Sequence, residues 1–224
     1  MADSTEEYRG THVVIRFDAH KCIHSRNCVL GRPDVFVPNA VGPWIKPDNA
    51  SAEAVAALAL ACPSGAITYE RRDGGENEAA PVVNLVRVRE NGPLAFHGEL
   101  AIEGVSPTLR ATLCRCGASQ RKPFCDGSHG TAGFAATGEP ATKESAALAV
   151  RNGPLAVKPL RNGPLMIQGP LEVVSGTGRT VTRATETFLC RCGASANKPF
   201  CDGTHKKTGF TAEGGERAKT PAAT

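Results

Sequence analysis

Two seventeen-residue blocks concentrate the side chains that could do chemistry. Residues 113–129 read LCRCGASQRKPFCDGSH and residues 189–205 read LCRCGASANKPFCDGTH, with three differences. Each carries C-x-C-x8-C-x3-H: Cys114, Cys116, Cys125 and His129, then Cys190, Cys192, Cys201 and His205. Three thiolates and one imidazole form a soft donor set that suits zinc or an iron–sulfur cluster. The spacing can close such a site. In an extended chain, residues i and i+2 project to one side, so both thiols of C-x-C reach one metal. Residues i and i+4 share a face of a helical turn, which pairs Cys125 with His129 and Cys201 with His205. The loop between, with Pro123 near its end, folds one pair onto the other. Asp126 can cap the turn of Gly127, Ser128 and His129, and Gly127 leaves the backbone open beside a cofactor. Asp202, Gly203 and Thr204 hold the same places in the second block. Ser119 and Ser195 are candidate donors to a bridging sulfide. Arg115 and Arg191, inside C-R-C, read equally as cations that soften the charge of a bound group and as solvated side chains.

Zinc sites commonly space their first two cysteines by two to four residues, so the tight C-x-C leans toward iron. The cysteines upstream lean the same way. C-D-G-S-H at 125–129 and C-D-G-T-H at 201–205 are where a resemblance becomes plain. Both blocks resemble the CDGSH iron–sulfur domain, the NEET family, over residues 82–135 and 149–210. The resemblance implies a [2Fe–2S] cluster in each repeat. Cys114 and Cys116 would hold one iron and Cys125 and His129 the other, with Cys190, Cys192, Cys201 and His205 doing the same. Two motifs in tandem imply an intrachain pseudo-dimer. A neutral imidazole in place of a thiolate leaves the oxidised cluster at about −1 and raises its potential. Protonation would detach that ligand.

The remaining cysteines are Cys22, Cys28 and Cys62, in C-I-H-S-R-N-C and C-P-S-G-A-I. Residues 12–72 resemble a divergent single-cluster ferredoxin domain. Bacterial ferredoxins carry C-x2-C-x2-C with a distant Cys-Pro, but Ser25 stands at the middle position. Three thiolates imply a [3Fe–4S] cluster. A [4Fe–4S] cluster would draw a fourth donor from His24, Ser25 or solvent.

These sites need elements to hold them. His12 to Phe17 reads as a strand, residues 51–62 as a helix capped by Asn49 or Ser51, and Ala66 to Tyr69 as a returning strand. Val82 to Val88, Leu94 to Phe96, Leu171 to Val174 and Val181 to Leu189 read as strands. Asn-Gly turns punctuate them, and Asn-Gly-Pro-Leu recurs at 91, 152 and 162. The copy at 151–157 supplies one more strand. Trp44 reads as packing, and His12, His20 and His97 as surface or satisfied histidines. Leu58 lies on a helix face. The predicted fold class is α+β and loop-rich, an N-terminal ferredoxin-like unit followed by two small β-rich modules. The boundaries run 1–11 disordered tail, 12–72 ferredoxin-like, 73–80 linker, 81–136 first module, 137–147 linker, 148–212 second module and 213–224 disordered tail.

Composition narrows the function. The 224 residues include 24 Gly and 16 Pro, about 18%, above the usual 12% or so, and 5% are aromatic. Such loop-rich units need a covalent or metal staple. Nine cysteines, an odd number, argue against a closed disulfide framework. The charge of +4 is scattered, so no nucleic-acid partner is expected. No apolar run approaches the 20 or so residues of a membrane span, and no apolar leader opens the chain. A soluble cytoplasmic protein is expected. No Ser/His/Asp constellation, phosphate loop or paired-carboxylate motif stands out, so electron transfer rather than catalysis is expected. The alternatives are a cluster-transfer or pH-sensing protein and a zinc-stapled interaction module. Partners would be redox proteins or apo iron–sulfur proteins. If the imidazoles are the acid-sensitive ligands, the double variant His129→Cys, His205→Cys keeps its visible cluster absorbance to lower pH than the parent; unchanged acid stability overturns that reading.

Overall fold

The computed structural model describes residues 5–215. The first unit is a three-stranded antiparallel sheet, β1 (Thr5–Arg9), β2 (Val13–Asp18) and β3 (Ile67–Arg71), with β2 in the centre. Two helices, α1 (Asn27–Gly31) and α2 (Ala52–Leu60), complete it. Ser51 caps α2, its hydroxyl accepting from Ala54 N–H at 3.2 Å, while Asn49 ends a short 3₁₀ turn instead. Val13, Ile15, Val35, Phe36, Ile45, Val55, Ala59 and Ile67 fill the core. Trp44 packs there edge-on against Phe17, ring centres 5.0 Å apart. Residues 5–9 depart from the expected tail: they pair along β2. Arg16 on β2 explains this, bonding Glu7 on one side at 2.8 Å and Glu70 on the other at 2.5 Å. Charges facing across strands stabilise a polar edge that composition alone reads as tail.

The two repeats share one sheet. The first supplies β4 (Leu85–Val88), β5 (Leu94–Ile102) and β6 (Thr108–Leu113). The second supplies β7 (Pro154–Pro159), β8 (Leu165–Val174) and β9 (Thr180–Leu189). Within repeats, β4 pairs β5 and β7 pairs β8, antiparallel. Between repeats the pairing is parallel, β4 with β8 and β5 with β7. The four strands therefore close into a small barrel, with β6 attached to β5 and β9 to β8. Closure removes the exposed edges that two short hairpins would otherwise present. The registers correspond: Val86 faces Val173 as Val157 faces Ile102. Both long strands shift register at a glycine, between His97 and Leu100 and between Gln168 and Leu171. Asn91 and Asn162 adopt left-handed φ values of 46° and 51° in the matching turns. Val86, Phe96, Leu100, Leu113, Leu155, Ile167, Val173 and Leu189 fill the interior, supplied by both repeats.

The two expected linkers are packed. Residues 73–80 carry Glu78, which accepts from Arg110 Nε at 2.6 Å and from its terminal nitrogen at 2.7 Å. Arg110, on β6 and 3% exposed, also donates to the carbonyls of Ala59, Cys62 and Ile67. Residues 137–147 run along the barrel, with Gly176 N–H bonded to Gly138 O and Lys143 N–H to Val181 O. Of the expected C-terminal tail, Gly215 pairs with Leu160, and residues 216–224 lie outside the described range. Among the described residues no helix is long and apolar enough to cross a membrane. His97, read as a surface or satisfied histidine, is half-buried, and its Nε2 has no hydrogen-bond partner among the described residues. His12 and His20 are exposed as expected. Removing one partner of a buried ion pair costs about 3–5 kcal/mol. Glu78→Ala should therefore lose about 3 kcal/mol in denaturant unfolding, and Glu78→Gln, which retains an acceptor, should lose less.

Candidate metal centres

The ladder at the end of β6 shapes the first site. Leu113 bridges Phe124, Cys114 N–H donates to Pro123 O at 2.8 Å and Cys125 N–H to Thr112 O at 2.9 Å. These bonds fold the intervening loop back, so Cys125 returns beside Cys114. Leu189 bridges Phe200 in the same way, with Cys190 bonded to Pro199 and Cys201 to Phe188.

Cys114 Sγ lies 3.7 Å from Cys116 Sγ, and Cys125 Sγ lies 3.4 Å from His129 Nδ1. The second repeat gives 3.8 Å for Cys190–Cys192 and 3.4 Å for Cys201–His205. Two sulfurs about 2.3 Å from one tetrahedral metal stand about 3.8 Å apart, and a sulfur and an imidazole nitrogen about 3.5 Å. Each pair thus suits one metal atom. Among the described residues no three His, Cys, Asp or Glu side chains gather about a single ion's position. The donors come in twos in both repeats.

Backbone donors already point at the sulfurs. Ala118 N–H reaches Cys116 Sγ and Gly127 N–H reaches Cys125 Sγ, each at 3.4 Å; Ala194 and Gly203 repeat this on Cys192 and Cys201. Gly127 and Gly203 have φ of 88° and 87°, a region that favours glycine. Asp126 caps the His129 turn as expected, accepting from Ser128 N–H at 3.0 Å and also from Gln120 N–H at 2.8 Å. Asp202 does the same for Thr204 and Ala196. The serine expectation needs correction. Ser119 Oγ donates to Phe124 O at 2.6 Å and Ser195 Oγ to Phe200 O at 2.7 Å, so both hydroxyls brace the loop. Their backbone N–H groups are what face Cys114 and Cys190.

Burial pushes the Cys125 and Cys190 thiols up to about 11. The hydrogen bond from Cys114 holds Cys116 down at about 6, which makes it the first of that pair to ionise. Metal must displace the protons that the buried thiols keep, so uptake strengthens as pH rises.

Arg115 and Arg191 are each 1% exposed, which excludes the solvated reading. Arg115 donates to the carbonyls of Gly92, Thr137, Arg89 and Ala136. Arg191 donates to Gly163, Glu213 and Leu160. Phe134 covers Arg115, with the guanidinium 5.3 Å from the ring centre, and Lys198 of the other repeat approaches the same ring. Phe210 stands likewise between Arg191 and Lys122. Arg115 attracts charge on Cys190 of the other repeat as well as on Glu90 and Cys116 of its own, and Arg191 attracts charge on Cys114 of the other repeat.

The repeats meet back to back. Cys116 and Cys192 form an antiparallel bridge. A Cβ on Gly117 would stand 2.4 Å from Cys192 O, and one on Gly193 2.2 Å from Cys116 O. The glycine that follows C-x-C in both blocks was the available sign of this seam.

In the first unit, Cys22 ends a 3₁₀ turn, Cys28 lies on α1 and Cys62 follows α2. Asn27 Nδ2 ties α1 to Ala61 O at 2.8 Å. Burial pushes the Cys22 and Cys28 thiols up, and negative charge on Cys62 adds to both shifts. His24 and Arg26 take left-handed φ of 53° and 64° in the connecting loop. His24 Nδ1 is 4.0 Å from Cys22 Sγ, and its N–H bonds that sulfur at 3.4 Å. Ser25 is half-buried in this loop. Ser64, unforeseen, is buried with its hydroxyl 3.7 Å from Cys62 Sγ.

Residues 91–130 and 162–206 match the family of the iron-binding zinc finger, CDGSH type. Residues 8–72 match the divergent 4Fe-4S mono-cluster family. No curated protein and no solved structure matches the chain. Because the seam admits no side chain, Gly117→Ala should cost about 1–3 kcal/mol of backbone strain. Iron analysis should find both repeats depleted; loss confined to the altered repeat would mean the seam does not couple them.

Proposed function

From a chain that carries two CDGSH-type iron-binding domains and one divergent 4Fe-4S mono-cluster domain, we propose an electron-transfer protein. In this reading each repeat holds a [2Fe–2S] cluster through three cysteines and one histidine. The observation that carries it is the pairwise geometry, with sulfur–sulfur separations of 3.7 and 3.8 Å and sulfur–nitrogen separations of 3.4 Å. The barrel built from strands of both repeats supports an intrachain pseudo-dimer, complete within one chain. Bound clusters supply reversible one-electron chemistry. The chain's own part is to fix four ligands, aim backbone N–H groups at the sulfurs and place a buried guanidinium nearby. The N–H groups and the guanidinium favour added negative charge and raise the potential.

The N-terminal unit offers three thiolates, the number a [3Fe–4S] cluster takes. A second reading, a [4Fe–4S] cluster, is favoured by the matched family and by His24, whose Nδ1 lies on the Cys22 side as a fourth donor. The partner in either case is a redox protein of the cytoplasm. Cluster donation is the competing role, favoured by His205 lining an open cleft with Arg161 and Asn162. Fast reversible reduction without iron loss supports electron transfer. Delivery to an apo iron–sulfur protein faster than spontaneous loss supports donation.

Protein prepared without oxygen should hold about seven iron and eight acid-labile sulfide per chain with a [3Fe–4S] cluster, or about eight of each with a [4Fe–4S]. His24→Ala should lower the iron count only in the second case. Zinc with negligible sulfide would overturn the proposal in favour of a zinc-stapled interaction module.

A further inference from the structure

The two cysteine blocks are near copies, and their differences fall at 120 and 196, 121 and 197, and 128 and 204. One of these positions has a structural use. Arg121 reaches across to the N-terminal unit and donates to the carbonyl of His20, two residues before Cys22. Its counterpart in the second repeat is Asn197, whose Oδ1 accepts from Lys143 instead. A second arginine grips the other side of the same unit. Arg110 donates to the carbonyl of the ligand Cys62 at 2.7 Å and to that of Ile67 at 2.9 Å. Its counterpart four residues before Cys190 is Glu186, exposed and bonded to Gln168. Close packing reinforces the grip, since a Cβ on Gly65 would stand 2.8 Å from Arg110 O.

We propose that Arg110 and Arg121 are positioning residues that dock the N-terminal metal site against the first repeat alone, leaving the second repeat as the face for outside partners. The inference rests on the iron–sulfur reading above. Arg121 lies between the two centres, attracting charge on both Cys22 and Cys125. The seam at Cys116 and Cys192 then joins the first repeat to the second, so the first repeat contacts both the N-terminal unit and the second repeat. The second repeat is also the more open. Cys125 is 4% exposed and buried, whereas Cys201 is only partly buried and His205 lines a cleft. With clusters bound, exchange between neighbouring centres would be of single electrons, one centre losing what the next gains, with no atom or proton transferred.

Electron paramagnetic resonance power saturation tests this on the full chain prepared without oxygen. With the N-terminal centre paramagnetic, the first-repeat centre should saturate at several-fold higher power than the second-repeat centre. Each is assigned by removing the other with Cys125→Ser or Cys201→Ser. Arg121→Asn, which copies the second repeat, should shrink that difference and lower the potentials of the N-terminal and first-repeat centres, leaving the second unchanged. Equal relaxation of both repeat centres, or no response to Arg121→Asn, overturns the proposal. A readout independent of iron accompanies it. Amide hydrogen exchange over residues 19–28 should speed up several-fold in metal-free Arg121→Asn, while residues 196–206 keep the parent rate. Unchanged exchange counts against docking by Arg121, and Arg110→Glu extends the test where it folds. Absence of iron and sulfide would instead sink the underlying reading, with the exchange result still deciding the docking.

Discussion

A guanidinium taken out of water must find acceptors for its N–H groups, and this demand organises the molecule around Arg115 and Arg191. Each sits between the two cysteines of C-R-C, so whatever satisfies the arginine also fixes both thiols. The acceptors are carbonyls of the Asn-Gly turn and of the segment that follows the cysteine block. Turn, block and trailing segment are thereby tied to one buried cation. Phe134 and Phe210 then close over the guanidinium groups, each also approached by a lysine from the opposite repeat. A positive charge held this way costs stability unless something negative is nearby. Ionised cysteines of the two repeats would supply that charge, Cys190 and Cys116 to Arg115 and Cys114 to Arg191.

The same logic at Arg110 governs how the N-terminal unit attaches. The side chain spends its donors on three carbonyls of that unit and on Glu78. A segment that is polar and lacks regular structure becomes part of the joint because it carries the one carboxylate the buried arginine needs. Near-identical repeats thus acquire different surroundings through a few charged positions, while their ligand geometry stays alike.

The pairing of the cysteines and histidines, both repeats and several elements were legible in the sequence, because spacing and period carry them: the C-x-C pairs, β2, α2 with its Ser51 cap, and β3. The extra Asn-Gly-Pro-Leu copy at 152 correctly signalled a strand, β7. What sequence hid were roles decided by distant partners. Arg115 looks the same in a chain whether it faces water or four carbonyls. Ser119 is the right residue type in the right loop, yet its hydroxyl finds a backbone carbonyl sooner than any cofactor. Residues 5–9 are polar enough to pass for a tail until Arg16 offers them a partner. Arg121 and Arg110 gain meaning only when contacts spanning about a hundred and about fifty residues are known.

The closed ring of β4, β5, β7 and β8 also sets an order of assembly. β4 finds its second neighbour only at residues 172–174, so the ring cannot shut until most of the chain has left the ribosome. The N-terminal unit, by contrast, has its sheet and helices complete by residue 71. Nascent chains fold domain by domain from the N-terminus, and long-range pairing comes late. The first repeat therefore waits, thiols unscreened, while its partner strands are still being synthesised, and its cysteines are enclosed later than those of the N-terminal unit.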